Sequence, residues 1–247
     1  MFPILPPVPA KLFLLRGTTY RRASPHCKKF RRHGRLRVTI VSMITIVGLG
    51  NPGEEYANTR HNTGRMILEM ISKKNDFSEW KENPKIKALV ADGKINKPAR
   101  TSQKGGAKMQ FVLPNNFMNN SGKSVGPLIK SKKDLAQLVV VYDDLDLPIG
   151  RMKISFNRSS GGHNGLESII RAVKSTEFVR IRIGISPHTP SGKTKKPLGE
   201  KAVIDFILKK FKDTDMVELK KIAKKITEAL ECFASDGKDR MMSEYNG

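Results

Sequence analysis

The apolar run Met43-Ile44-Thr45-Ile46-Val47 breaks directly into Gly48-Leu49-Gly50-Asn51-Pro52-Gly53, and the polar stretch continues to Gly64. A β-rich run that ends in glycines and a His-bearing loop is how an α/β protein presents a site at the carboxyl end of a strand. The stretch Arg65 to Ile71 follows at once, with Met66, Ile67, Met70 and Ile71 at helical spacing. Strand, polar loop, helix is the local reading, and it places His61 just before the helix. Asn51, Arg60 and His61 are the groups of this loop able to act on a carbonyl or a phosphate.

The same alternation runs down the chain. Residues 86–91 and 109–113 read as strands, separated by a Gly/Lys/Pro/Ser-rich connection from Asp92 to Gly106. A helix with Val125, Leu128 and Ile129 on one face comes next. Leu138 to Tyr142 (LVVVY) is a continuous apolar run, expected for a central parallel strand buried on both faces. It ends in Asp143-Asp144-Leu145-Asp146-Leu147-Pro148. Met152 to Phe156 reads as a strand, Asn157 to Gly162 as a Ser/Gly loop, and Leu166, Ile169, Ile170 and Val173 mark a helix. From 178 to 185, Val179, Ile181, Ile183 and Ile185 share one face and Arg180 and Arg182 the other, a half-buried strand. Residues 186–201 read as a long loop, and Met216, Leu219, Ile222, Ile226 and Leu230 as an amphipathic helix. The expected fold is α/β: a single globular domain with a central mixed, mostly parallel β-sheet flanked by helices.

Residues 1–42 differ in kind: Pro-rich, then Arg-rich, without periodicity. A transit peptide, a basic arm for RNA and a misassigned start ahead of Met43 all fit, and disorder is expected in each case. The expected division is therefore an extension over 1–42, a catalytic domain over 43–240 and a flexible tail over 241–247. Of the net charge of +23, ten charges fall in residues 1–42, which hold ten Lys/Arg and no acid; +13 remains for 43–247. Such an excess favours a polyanionic partner, because phosphate contacts release condensed counterions.

Several classes are disfavoured. Cys27 and Cys232 form no CxxC or Cys/His cluster, so neither a disulfide framework nor a metal site is indicated. No apolar run approaches the ~20 residues of a membrane span. Gly48, Gly50 and Gly53 match GxGxxG, but Glu54 and Glu55 stand where a pyrophosphate would lie and the helix is delayed to about Asn62. No nucleotide cofactor is expected. No reactive Cys setting appears, so water rather than a side chain is the expected nucleophile.

His61 can serve as a general base, since an imidazole accepts a proton near neutrality. Taken alone it reads rather as a surface or helix-start histidine. Asp143, at the end of a buried strand, could orient an imidazole by accepting its N–H, or simply cap a turn. Asn51, Asn119 and Asn164 sit at comparable strand-end loops. Each alone is a common turn residue; together they offer donors suited to a peptide or a developing oxyanion.

With these residues in view, the chain resembles the bacterial-type peptidyl-tRNA hydrolases. The matching stretches are GLGNPGEEYANTRHNTG (48–64), FMNNSGKSV (117–125), DDLDLPIGRMKI (143–154), SSGGHNGLESII (159–170) and RIRIGI (180–185), in the family's order. The resemblance implies hydrolysis of the ester between a peptide and the 3′ ribose of tRNA, without metal or cofactor. It implies His61 as the base, Asp143 as its orienter, and Asn51 and Asn119 positioning peptide and carbonyl. Asn164 would hold the water or the tRNA end, and Met118 with Tyr56 would shape the pocket. His163 is a secondary candidate, with a loop histidine bonded to backbone as the alternative. Lys153, Arg180 and Arg182 would meet tRNA phosphates, unless they form a solvated strand face. Two departures stand out. Leu113 and Asn116 replace the family's usual Lys and Thr, and Ser155 stands where a second basic residue is common. The substitution at Ser155 would shift phosphate contacts to Arg151 or Arg158. The partner implied is peptidyl-tRNA, with no membrane; a monomer in the cytoplasm is expected, or a mitochondrial or plastid protein if 1–42 is a transit peptide. A non-enzymatic RNA-binding relative of the same fold is the competing reading, and it would have lost His61, Asp143 or the asparagines.

Overall fold

The computed structural model describes residues 43–95, 107–187 and 194–246. The chain runs β1 (Ile44–Gly48), α1 (Thr63–Ser72), β2 (Asp76–Phe77), β3 (Lys81–Asn83), β4 (Ala88–Ile95), β5 (Ala107–Pro114), α2 (Gly122–Val125), α3 (Lys132–Ala136), β6 (Leu138–Pro148), β7 (Met152–Phe156), α4 (Asn164–Val173), β8 (Val179–Ser186), α5 (Glu200–Ile207), α6 (Asp213–Asp236) and α7 (Lys238–Tyr245). One sheet collects the strands in the order β2-β4-β5-β1-β6-β8-β7, with β3 also on β4. The four central strands, β5-β1-β6-β8, are parallel. Both margins are antiparallel: β4 on β5, β2 and β3 on β4, and β7 on β8.

The pleat explains why these strands are central. Ile44 and Ile46, like Val139 and Val141, point into one core with α1 and α6, through Ile67, Leu68, Leu219 and Ile226. Val47, Leu138, Val140 and Tyr142 point the other way, against Val125 of α2 and Leu166 and Ile169 of α4. A strand covered on both faces has no polar side to show, hence the unbroken LVVVY. Helix α1 lies very close to the sheet: a Cβ on Gly64 would overlap the carbonyl oxygen of Val141. The glycines of the first loop thus serve helix–strand packing: the Arg65 N–H, in the first turn of α1, donates to the Leu49 carbonyl at 2.9 Å, and Gly53 itself is followed by a 3-10 turn at Glu54–Tyr56.

Several expectations are corrected. The apolar run does not stop at Tyr142: β6 continues to Pro148, so Asp143 and Asp144 are strand residues, not a turn. The expected connection 92–106 begins as strand, since β4 reaches Ile95 in register with β5; residues 96–106 lie outside the described residues. β2 and β3 are too short to show periodicity. The helix expected near Val125 is a single turn, followed by a 3-10 turn at Gly126–Leu128, which begins before Pro127. The loop expected over 186–201 starts inside β8 and ends inside α5, with 188–193 outside the described residues. The tail expected over 241–247 is helical to Tyr245. Met241 is buried, and the Asn246 side chain bonds both the N–H and the C=O of Ile154 at 2.6 and 2.9 Å. The extension over 1–42 lies outside the described residues. Among those described, no helix is long and apolar enough to cross a membrane.

Candidate active site

Sheet register brings the site together. β1 pairs with β6 so that Gly48 faces Val141. The loop leaving β1 therefore starts beside the stretch of β6 that carries Asp143, two residues on. The loop returns through a 3-10 turn, Arg60–Asn62, directly into α1. There His61 Nδ1 donates to Asp143, at 3.0 Å from Oδ2 and 3.2 Å from Oδ1. Its Nε2 is left free of that bond.

A second imidazole shares the carboxylate. His163 Nε2 lies 3.0 Å from Asp143 Oδ1. The same side chain caps α4: its Nδ1 accepts from the Leu166 N–H at 3.2 Å. A nitrogen that accepts from a backbone N–H carries no proton, so the proton of a neutral His163 sits on Nε2 and is donated to Asp143. Asp143, only 5% exposed, thus receives two N–H donors. Burial by itself would raise its pKa; His61 and His163 outweigh burial and hold it well below the usual carboxylate range. Burial by itself would lower the pKa of His61; the facing carboxylate outweighs that and raises it above the ordinary imidazole value. These three groups also stand close enough to share a metal ion. Their facing nitrogens, however, are the ones that donate to Asp143, and the His163 cap keeps the Nε2 proton in place. The arrangement is that of a hydrogen-bonded carboxylate rather than of free metal ligands.

Asn51 is 8% exposed and fixed at three atoms. Its N–H donates to Asn62 Oδ1 at 2.8 Å, and Asn62 Nδ2 donates to its carbonyl at 2.9 Å. Its own Oδ1 accepts from the Met118 N–H at 2.8 Å. The amide is thereby oriented with Nδ2 as its available donor. Met118 is buried, and a Cβ on Gly165 would overlap its sulfur, so the start of α4 packs directly on it. Asn119 and Asn164 are exposed, at the 3-10 turn after Met118 and at the first residue of α4. Tyr56 stands edge-on to the exposed Phe117, ring centroids 6.3 Å apart.

A cleft of about 910 Å³ opens beside these groups. His61, Asp143, His163 and Asn164 line it together with Lys153, Arg158, Arg182 and Lys196; Asn51, Tyr56, Met118 and Asn119 lie outside its lining. Its basic wall differs from expectation. Arg180 is fully buried rather than on a solvated face. Its Nη1 donates to the Ser159 carbonyl at 2.8 Å, Nη2 to that of Thr176 at 3.3 Å, and Cζ lies 4.8 Å from the Phe178 ring centroid. It borders the cleft but exposes almost no surface there, and its hydrogen bonds hold the loop that leads to His163. Burial also pushes the neighbouring Tyr142 up to about 12. Arg182 remains part-exposed but is ion-paired with the buried Asp144. Lys153 is exposed and pairs in register with Arg182 across the β7–β8 ladder.

A family model described as peptidyl-tRNA hydrolase matches residues 45–247. The chain belongs to the peptidyl-tRNA hydrolase family. Among its relatives, the peptidyl-tRNA hydrolase of Staphylococcus saprophyticus is 36% identical over 207 residues, covering 83% of this chain and 98% of the relative. That of Syntrophomonas wolfei is 37% identical over 205 residues, covering 83% of this chain and all of the relative. The crystal structure of peptidyl-tRNA hydrolase from Acinetobacter baumannii superposes with a TM-score of 0.69 at 27% identity, over 83% of this chain and 95% of that one. The chain thus carries the family domain from its first strand onward. Two further residues matter here: Asn62, which fixes Asn51, and Asp144, which is ion-paired with Arg182. No local pattern marks either one; only their partners do.

Proposed function

We propose that this chain cleaves the ester between a peptide and the 3′ ribose of tRNA with His61 as general base. One observation carries the assignment: His61 gives its Nδ1–H to a buried carboxylate, which leaves Nε2 to take a proton from water. Water attacks the ester carbonyl as its proton passes to Nε2, forming a tetrahedral adduct. The bond to the ribose 3′ oxygen then breaks, and the imidazolium returns the proton to that oxygen. The products are a peptide carboxylic acid, which releases its proton to solvent, and tRNA with a free 3′ hydroxyl. Asp143 orients the ring and stabilises the imidazolium. Asn51 Nδ2 is assigned to the developing oxyanion; what supports this is that its Oδ1 is occupied by the Met118 N–H, which leaves Nδ2 as a donor. Asn119 positions the peptide, Asn164 the water or the tRNA end, and Met118 with Tyr56 bounds the acyl side. Lys153 and Arg182 meet phosphates of the acceptor arm. An ester alkoxide leaves more easily than an amine, so one oriented base and amide donors suffice.

Positioned acid–base catalysis contributes roughly 10²–10⁴-fold. The RNA-binding alternative anticipated loss of the site residues; His61, Asp143, Asn51, Asn119 and Asn164 are all present. The substrate forms wherever ribosomes work, so the expected compartment is the cytoplasm, or a ribosome-bearing organelle if 1–42 is a transit peptide. The decisive measurement is release of N-acetylaminoacyl groups from tRNA by the full chain beside His61→Ala. Turnover by the wild type, lost in His61→Ala with tRNA binding retained, is the expected result. Undiminished turnover in His61→Ala would remove the base assignment.

A further inference from the structure

Arg60 stands one residue before the proposed base, yet its partners lie on the connection between α5 and α6. Its backbone N–H donates to the Lys209 carbonyl at 3.1 Å. Its Nη1 lies 3.3 and 3.4 Å from the carbonyl oxygens of Lys209 and Lys210. Its Cζ sits 4.5 Å from the ring centroid of Phe206, in the last turn of α5, and 5.5 Å from that of Phe211. Asp215, in the first turn of α6, is 3.9 Å from Nη2. The backbone on either side is tied in as well: Thr59 bridges Lys210, and the Phe211 N–H donates to the Asn58 carbonyl at 3.0 Å.

Helix α5 is lightly held: none of its residues is fully buried, only Phe206 and Ile207 pack against the core, and Val203, Ile204 and Ile207 line the cleft. The wall they form is therefore registered to the body largely through the turn 60–62. Three consecutive side chains of that turn fix three different parts: Arg60 the α5–α6 connection, His61 the Asp143 carboxylate, and Asn62 the Asn51 peptide. A planar guanidinium suits the first task, because it can donate to carbonyls in its plane and stack on rings across its faces; an ammonium cannot do both.

We propose that Arg60 is a positioning residue for the hydrolysis: it clamps the turn that carries His61 to the α5–α6 connection, so that the base and the α5 wall of the cleft keep one geometry. The inference rests on His61 being the base.

Misplacement of a reacting group by about 1 Å can cost on the order of 10²-fold in rate. Arg60→Lys in the full chain is accordingly expected to lower kcat about 10- to 100-fold at nearly unchanged KM for N-acetylaminoacyl-tRNA. The acid limb of its kcat/KM profile is expected to move to lower pH, as His61 drifts from Asp143. The groups that face the His61 ring are Asp143 and His163, and both remain in this variant. Phe206→Leu, which keeps Arg60 but removes one stacking ring, is expected to show the same changes in smaller measure. Arg60 acting only as structural glue would lower the melting temperature yet leave kcat per folded molecule and the acid limb at wild-type values, and that result overturns the proposal. His61→Ala separates the two layers. Its inactivity beside wild-type kinetics in Arg60→Lys and Phe206→Leu defeats the Arg60 proposal alone, whereas turnover in His61→Ala defeats the base assignment and Arg60 with it.

Discussion

Asp143 is one carboxylate serving two imidazoles, and its removal separates electrostatics from shape. The reaction requires neutral His61, so kcat/KM falls as the pH drops through the pKa of His61. The Asp143 charge raises that pKa, which places the acid limb above the ordinary value of about 6.5. Asp143→Asn is expected to lower kcat about 10²–10⁴-fold and to move the residual acid limb to lower pH. A limb that stays in place would show that another group sets the protonation of the base. Stability follows from the same shifts. The pKa of Asp143 is depressed on folding, so its contribution is present above its unfolded value near 4 and lost as the pH falls through the folded one. The pKa of His61 is raised, so its contribution is full below about 6.5 and lost as the pH rises through the folded value. The melting-temperature deficit of Asp143→Asn is thus expected to be larger near pH 6 than at pH 9.

Single elements decide whether these groups meet. Helix α1 has glycine at its second residue, Gly64, because its first turn lies on the Val141 carbonyl, two residues before Asp143. Gly64→Ala must push α1, and with it the turn bearing His61, away from β6. The expected cost is about 1–3 kcal/mol, measured as a lower urea midpoint, together with loss of turnover; an unchanged midpoint would mean that α1 has room to spare. Strand β8 separates two arginines that look equivalent in the sequence. Lys153→Gln, which removes an exposed charge from β7 opposite Arg182, is expected to raise KM and to reduce the salt slope of log KM by about 1. Arg180→Met, which removes a buried guanidinium from carbonyls of the 157–162 loop and of Thr176, is expected to lower the melting temperature and kcat while leaving the salt slope alone. A salt slope that changes in Arg180→Met would return that residue to the tRNA interface.

Over the whole molecule, the net charge of +23 and the cleft rimmed by Lys153, Arg158, Arg182 and Lys196 suit a substrate held mainly by phosphates. A sequence-independent grip of this kind fits an enzyme that must accept many tRNAs. The family, the alternating α/β order and the central strand LVVVY were legible in the chain, and so was the meeting of His61 with Asp143, whose atoms lie 3.0 Å apart. Strand periodicity and short polar loops are local properties, and a strand buried on both faces has only one way to read. What lay beyond the sequence was every property that depends on a partner distant along it. The alternation of 179–185 puts Arg180 and Arg182 on one face, yet whether that face meets solvent or a loop is settled by the packing of 157–162 and 176–178. Asp143-Asp144 reads as a turn because acids seldom continue a buried strand; here two imidazoles and Arg182, brought in from other elements, make that burial tolerable. Asn62 and Arg60 carry no pattern at all, because their hydrogen bonds go to Asn51, Lys209 and Lys210, up to 150 residues away. Local hydrophobic spacing determined the elements, and the register of β1 on β6 determined which of their ends became a site.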